Sequence, residues 1–347
     1  MKRLYILLLG VVVFCTTAPS FAQVSHESKD TLRILGVGNS WTRDSMRWLS
    51  AIAKSAGRPV IVGHGYLGGS FLEDQYHGID DTKYTYRHHG KKQIVHNTYQ
   101  YWKYICSENP VKTPSKGYRN GLAGIGVTLK SVVQDEPWDI IIFQPHVIVK
   151  AHMPDYCGFD INNLVRRIKS MMKPEVAAAV KCGLMVPFSY PEGNTDIRPD
   201  VGKAYNNGVL PVNQEEWNKV YETMHHEIQR DSKRLAAHRG DNCSFVINVG
   251  KAIYEARADR ELSKFGYKMQ RMQSNTHLAE GIPMYVASLC YAYELLGIKP
   301  SDISFFPKYS VDTQLNRKGE MVKTKTENSA SIAEYARKHV YKSLGLK

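Results

Sequence analysis

Leu35-Gly36-Val37-Gly38-Asn39-Ser40-Trp41-Thr42 is the stretch on which the reading of the fold turns. An apolar run, residues 32–37, ends at a glycine, and a hydroxyl residue follows at once. An amphipathic segment, residues 43–56, comes next. That order predicts a buried strand, a tight turn and a helix. Ser40 then lies between the carboxyl end of a strand and the amino end of a helix, the edge where open α/β sheets collect ligands. A helix start also offers unpaired N–H groups and a positive dipole end, both suited to developing negative charge. Two roles follow for Ser40, a nucleophile or a helix cap.

Working outward, residues 59–63 read as a second strand, leading into His64-Gly65-Tyr66-Leu67-Gly68-Gly69-Ser70. Residues 138–143, Trp-Asp-Ile-Ile-Ile-Phe, form the clearest buried strand and end at Gln144-Pro145-His146. Further strands are expected near residues 182–186 and 245–249. Helices are expected over residues 124–134, 161–172, 214–238, 251–258, 280–296 and 329–344, with turns or a small hairpin over 307–322. Short apolar runs alternating with helical segments imply a parallel sheet covered on both faces. Residues 75–121 break the pattern. Tyrosine is dense there (Tyr76, Tyr84, Tyr86, Tyr99, Tyr101, Tyr104), so this segment reads as an aromatic-rich insertion, partly a hairpin around His89-Gly90. Its rings suit sugar stacking or, equally, the filling of space under a long loop.

Lys2 and Arg3 precede an apolar stretch, residues 4–14, and Ser20-Phe21-Ala22 is a small-x-small cleavage site. Residues 1–22 therefore read as a signal peptide, and the mature protein is expected to be exported, periplasmic or extracellular. Cys15 follows the bulky Phe14, which disfavours lipoprotein processing. No later segment has the ~20 apolar residues of a membrane span. Removing 22 residues from 347 leaves 325, enough for one large α/β domain over 23–347 with a carboxyl-terminal extension over 299–347. The net charge of +13 falls to +11 without Lys2 and Arg3. Dispersed basic residues on an exported chain argue against nucleic acid as a partner and are compatible with acidic glycans. Cys106, Cys157, Cys182, Cys243 and Cys290 are odd in number and widely spaced, which is neither a disulfide framework nor a zinc knuckle. Adjacent histidines, His88-His89 and His225-His226, seldom both reach one ion, so no metal is expected.

Four positions fall at strand ends or just before a helix: Ser40, Gly69, Gln144 and His277. In a parallel sheet such ends converge in space. Acyl transfer needs a nucleophile, a base beside it and donors aimed at the oxyanion. Ser40 supplies the hydroxyl and His277 Nε2 can take its proton. The Ser40 and Gly69 amides and the Gln144 side chain are candidate oxyanion donors. Trp41, Gly68 and His146 are candidate substrate contacts. This chemistry uses no cofactor.

The ordered combination resembles the SGNH (GDSL-like) hydrolase superfamily, and more narrowly a Bacteroidetes-type branch that opens on Gly-Asn-Ser. The matching blocks are residues 35–42, Gly68-Gly69-Ser70, residues 138–144 and residues 275–285. Asn248-Val249-Gly250-Lys251-Ala252 also resembles a stretch of that branch. The resemblance implies a flavodoxin-like three-layer α/β/α sandwich with a central parallel sheet. It also implies Ser40 as nucleophile, His277 as base, and an oxyanion hole at Ser40 and Gly69. The chain departs from the superfamily at Asn39, at Gln144 and, above all, at Ser274, where the superfamily has an Asp three residues before the His. A main-chain carbonyl, Asn275 or a remote carboxylate such as Glu280 would then have to orient His277. The expected function is a secreted esterase removing acyl, chiefly O-acetyl, groups from carbohydrates or small esters. The alternative is a weakly active or inactive glycan-binding protein on the same scaffold.

Overall fold

The computed structural model describes residues 31–88, 91–111, 125–149, 160–194, 199–237, 243–266, 268–271, 276–315 and 321–346. The signal-peptide reading, Cys15, Cys157, Ser274 and Asn275 fall outside them.

Seven strands form the central sheet, in the order β6 (Ile125–Val127), β5 (Tyr99–Ile105), β2 (Val60–Tyr66), β1 (Leu32–Gly38), β7 (Ile140–Phe143), β8 (Lys181–Met185), β9 (Phe245–Ile247). From β2 to β9 every pairing is parallel, whereas β5 and β6 join antiparallel. The parallel strands are covered on both faces, so their sequences are continuous apolar runs rather than alternating ones: all of β2 and all of β7 is buried. Helices complete a three-layer α/β/α sandwich. On one side α1 (Ser40–Met46), α2 (Leu49–Ser55), α9 (Val249–Ala258), α10 (Ile282–Glu294) and α11 (Ala330–Ser343) pack around α10. The remaining helices are α3 (Leu72–Gly78), α4 (Leu129–Gln134), α5 (Ile161–Ser170), α6 (Pro174–Ala179), α7 (Pro199–Tyr205) and α8 (Gln214–Ala237); α3 packs on α5, and α7 on α8. All of α10 up to Tyr293 is buried, which is why it is apolar around its whole circumference.

Two expectations change. The single helix over 43–56 is two helices. The Trp48 N–H turns to the Ser288 hydroxyl (3.1 Å), and Ser288 in turn donates to the Ser45 carbonyl (3.0 Å), so a buried serine of α10 takes up the groups freed at the break. The first helix also starts three residues earlier, at Ser40.

Of the two readings of the aromatic segment, the structure favours rings that fill space. The segment supplies α3, the hairpin of β3 (Thr85–His88) and β4 (Lys91–Ile94), and β5 of the central sheet. Tyr86, Tyr99, Tyr101 and Tyr104 are buried in the core, and Tyr76, Tyr84 and Trp102 are half-buried. Near the carboxyl end, β10 (Tyr309–Leu315) and β11 (Met321–Glu327) form the expected hairpin. Cys182 and Cys290 are packed thiols, and Cys106 and Cys243 are also unbridged. Among the described residues no helix is long and apolar enough to cross a membrane.

Candidate active site

The turn from β1 into α1 is built by its own residues. Asn39, not Ser40, caps the helix, its side-chain oxygen accepting from the Trp41 N–H (3.1 Å). That leaves the Ser40 hydroxyl free for another partner. Gly38 has no room for a side chain: a Cβ there would lie 2.5 Å from Thr42 Oγ1 and 2.8 Å from the Gln144 carbonyl oxygen. Its own carbonyl accepts from the Leu67 N–H (2.9 Å) and the Gln75 side chain (2.8 Å), and Asn39 Nδ2 reaches the Ser70 carbonyl (3.4 Å). These bonds tie the serine turn to the Gly68-Gly69-Ser70 turn.

Ser40 Oγ lies 3.3 Å from His277 Nε2. His277 Nδ1 lies 2.7 Å from Asp44 Oδ2, so the ring bridges the serine and a carboxylate. The acid absent at residue 274 is therefore supplied by Asp44, one turn beyond Ser40 on α1. Helical residues four apart share a face, so Ser40 and Asp44 present themselves together to one imidazole. Neither Asn275 nor Glu280 is needed for that role. The spacing Ser40-x-x-x-Asp44 is visible in the sequence. It becomes a signal only when the helix is started at Ser40 rather than at Arg43.

Asp44 is fully buried and completely engaged. Its Oδ2 also accepts the Leu278 N–H (3.2 Å), and its Oδ1 faces Arg43 Nη2 (3.2 Å). Burial alone would raise its pKa. Attraction and hydrogen bonding to His277, then Arg43 and Arg271, outweigh burial and hold it at about 2. Such a group stabilises the fold above the ordinary carboxylate pKa of ~3.9, and that contribution is lost as pH falls through about 2. Its size is about 2 kcal/mol. Denaturant titrations at pH 6 and pH 2 should show the wild type losing about that much more stability than Asp44→Asn.

The loop carrying His277 is pinned on both sides. Its carbonyl accepts the Arg271 N–H (3.0 Å), Arg271 Nε donates to the Leu278 carbonyl (3.3 Å), and Gln270 pairs with Leu278 as an antiparallel bridge.

Of the oxyanion candidates, the Ser40 and Gly69 N–H groups have no hydrogen-bond partner among the described residues, as donors awaiting a ligand should. Gly69 has φ +65°, a left-handed conformation open chiefly to glycine. A Cβ on Gly69 would lie 2.5 Å from His88 Cδ2, so the His88 ring covers this turn. Gly69→Ala is expected to cost ~1–2 kcal/mol in denaturant stability, from the strained φ alone. By displacing one oxyanion donor it should also slow ester turnover roughly a hundredfold.

Gln144 does not have the expected arrangement. Its Oε1 accepts from the Asn39 N–H (3.0 Å) and from the Thr42 hydroxyl (3.3 Å), and its Nε2 donates to the Pro145 carbonyl. It braces the serine turn rather than offering its amide to an oxyanion. Trp41 is likewise internal, stacked on Phe188 with centroids 3.9 Å apart and edge-on to Tyr190 at 5.9 Å. His146 is buried against Phe71 and takes the Ile148 N–H on Nδ1 (3.3 Å). Neither presents a substrate-facing surface. The Gly68 carbonyl accepts from the Tyr86 hydroxyl (2.8 Å), which anchors the β3–β4 hairpin over the glycine turn. His88, which that hairpin carries, stands out in the sequence only as half of an adjacent histidine pair, not as a neighbour of the glycine turn.

His225 stacks on Tyr254 at 3.7 Å. Among the described residues no group of three His, Cys, Asp or Glu side chains is placed to hold a metal.

No protein-family model matches this sequence, and neither does any curated protein. The fold is similar to the crystal structure of a DUF4886 family protein from Bacteroides uniformis, with a TM-score of 0.61 over 91% of this chain and 95% of that one. At 17% identity, the likeness is one of fold.

Proposed function

We propose that the protein is a serine hydrolase of the SGNH type that cleaves carboxylic esters through a Ser40-His277-Asp44 triad. The observation that carries this reading is the continuous chain from Ser40 Oγ through both ring nitrogens of His277 to the buried Asp44 carboxylate. Asp44 fixes the ring with the proton on Nδ1 and leaves Nε2 as the acceptor. His277 Nε2 takes the Ser40 proton as Oγ attacks the ester carbonyl. The Ser40 and Gly69 amides receive the oxyanion. The imidazolium, stabilised by Asp44, then protonates the departing alkoxide. Water attacks the acyl-enzyme with the same base, regenerating Ser40.

His88 over Gly69 narrows the space beside the oxyanion position, which favours a short acyl group such as acetyl. Carbohydrate O-acetyl esters in an exported setting remain the substrate class we propose. The aromatic segment no longer supports it, because Tyr86, Tyr99, Tyr101 and Tyr104 are in the core. The test is a fluorophosphonate probe followed by peptide mass mapping, together with acetate release from p-nitrophenyl acetate and acetylated xylan. Phosphonylation of Ser40 with acetate release supports the reading. A folded protein that neither reacts with the probe nor releases acetate would leave the glycan-binding alternative standing.

A further inference from the structure

A second site stands apart from the triad. The end of α9, the loop after β8 and the face of α8 enclose a cavity of about 550 Å³ walled by Tyr190, Tyr221 and Tyr254, with Asn218 and Arg257 among its polar groups. Arg257 is unusual within it. Its Nε donates to the Lys268 carbonyl (3.1 Å) and its Nη1 to the Ser189 hydroxyl (3.2 Å), both neutral acceptors. Its Nη2 is shut off from solvent and has no hydrogen-bond partner.

The acids along the wall do not compensate this charge. Glu192 is paired with Lys268 (3.1 Å) and Glu215 with Lys219 (2.9 Å), while Glu222 points into solvent. Burial is the sole influence on the Arg257 guanidinium, and it pulls the pKa down to about 9. A buried cation normally has a counter-ion, because leaving a charged donor unpaired costs far more than leaving an amide unpaired. Among the described residues no carboxylate pairs with Arg257. A guanidinium whose Nη2 is uncommitted is suited to a charge-assisted hydrogen bond to a carboxylate. The partly exposed Tyr254 ring beside it offers apolar surface of the kind a pyranose ring covers.

We propose that this cavity binds a carboxylate-bearing sugar, its acid group on Arg257 and its ring beside Tyr254. Tyr190 belongs both to this wall and to the Trp41 edge contact, so the site adjoins the packing behind the serine turn.

The experiment is calorimetric titration of the full chain with sodium glucuronate and, at matched ionic strength, with methyl glucoside. Glucuronate is expected to bind at least about tenfold more tightly, the minimum that a charge-assisted pair contributes. Arg257→Met should reduce glucuronate binding to the level of the neutral sugar. Its melting temperature should be no lower than that of the wild type, since an uncompensated buried charge has been removed. Should that variant fail to fold, Arg257→Lys, which keeps the charge but loses the fork, should weaken glucuronate binding and leave methyl glucoside unchanged. Equal affinity for the two sugars, no binding of glucuronate at millimolar concentration, or undiminished binding by the folded Arg257→Met variant would each overturn the proposal. Binding is read without turnover, so this result is independent of the esterase assay.

Discussion

Asp44→Asn is expected to lower kcat for ester hydrolysis by about 10,000-fold while leaving KM within a few-fold. The side chain keeps its volume, so the fold and the Ser40 turn should survive. What changes is the group facing His277 Nδ1, now 2.7 Å from a full negative charge. An asparagine amide there donates as readily as it accepts. A donated N–H would force the ring proton onto Nε2, the atom that must accept from Ser40 Oγ. The variant also loses the charge that stabilises the imidazolium as the oxyanion forms. Because Arg43 and the Leu278 N–H also bind this carboxylate, its removal leaves two further donors with a weaker acceptor. The check is steady-state kinetics on p-nitrophenyl acetate with circular dichroism to verify folding. Activity within about tenfold of wild type, in a folded variant, would exclude Asp44 as the acid of the triad.

The largest effect is expected from Ser40→Ala, roughly a millionfold in kcat, with the residue of activity coming from the oxyanion donors alone. The substitution removes one oxygen from a helix start that Asn39 already caps, so it should not lower the melting temperature appreciably. That separation of stability from activity is itself diagnostic. A serine serving the fold as a cap would cost ~1 kcal/mol on conversion to alanine and leave chemistry untouched. The double variant Ser40→Ala with Asp44→Asn should be no slower than Ser40→Ala alone, because the members of a triad act as a unit. Comparable turnover by wild type and Ser40→Ala would place any esterase activity elsewhere in the chain.

The parallel sheet was legible because its strands are buried on both faces. Residues 140–143 and the first half of β2 can be read as strands with no knowledge of their neighbours. Ser40 and His277 were legible for a related reason: strand-to-helix junctions of a parallel sheet lie on one edge, so polar residues at such junctions meet. The aromatic segment was ambiguous in the sequence because a tyrosine fits a loop or a half-polar strand equally well. Only pairing with β2, register by register from Ile61 opposite Ile105 to Tyr66 opposite Gln100, turned it into sheet and buried its rings.

The sequence by itself determined the class of fold, the serine turn and the histidine that would face it. Those features depend on local apolar runs and on glycines where no Cβ fits, which short-range chemistry sets. The tertiary structure decided which carboxylate serves His277 and what Gln144 does. His277 is 233 residues from Asp44, and Gln144 is 105 from Asn39, so no local pattern relates them. A side chain's hydrogen-bond partner is settled by how the layers pack. In this protein that packing brings Asp44, on the same helix as Ser40, to His277 and turns Gln144 inward to hold the loop.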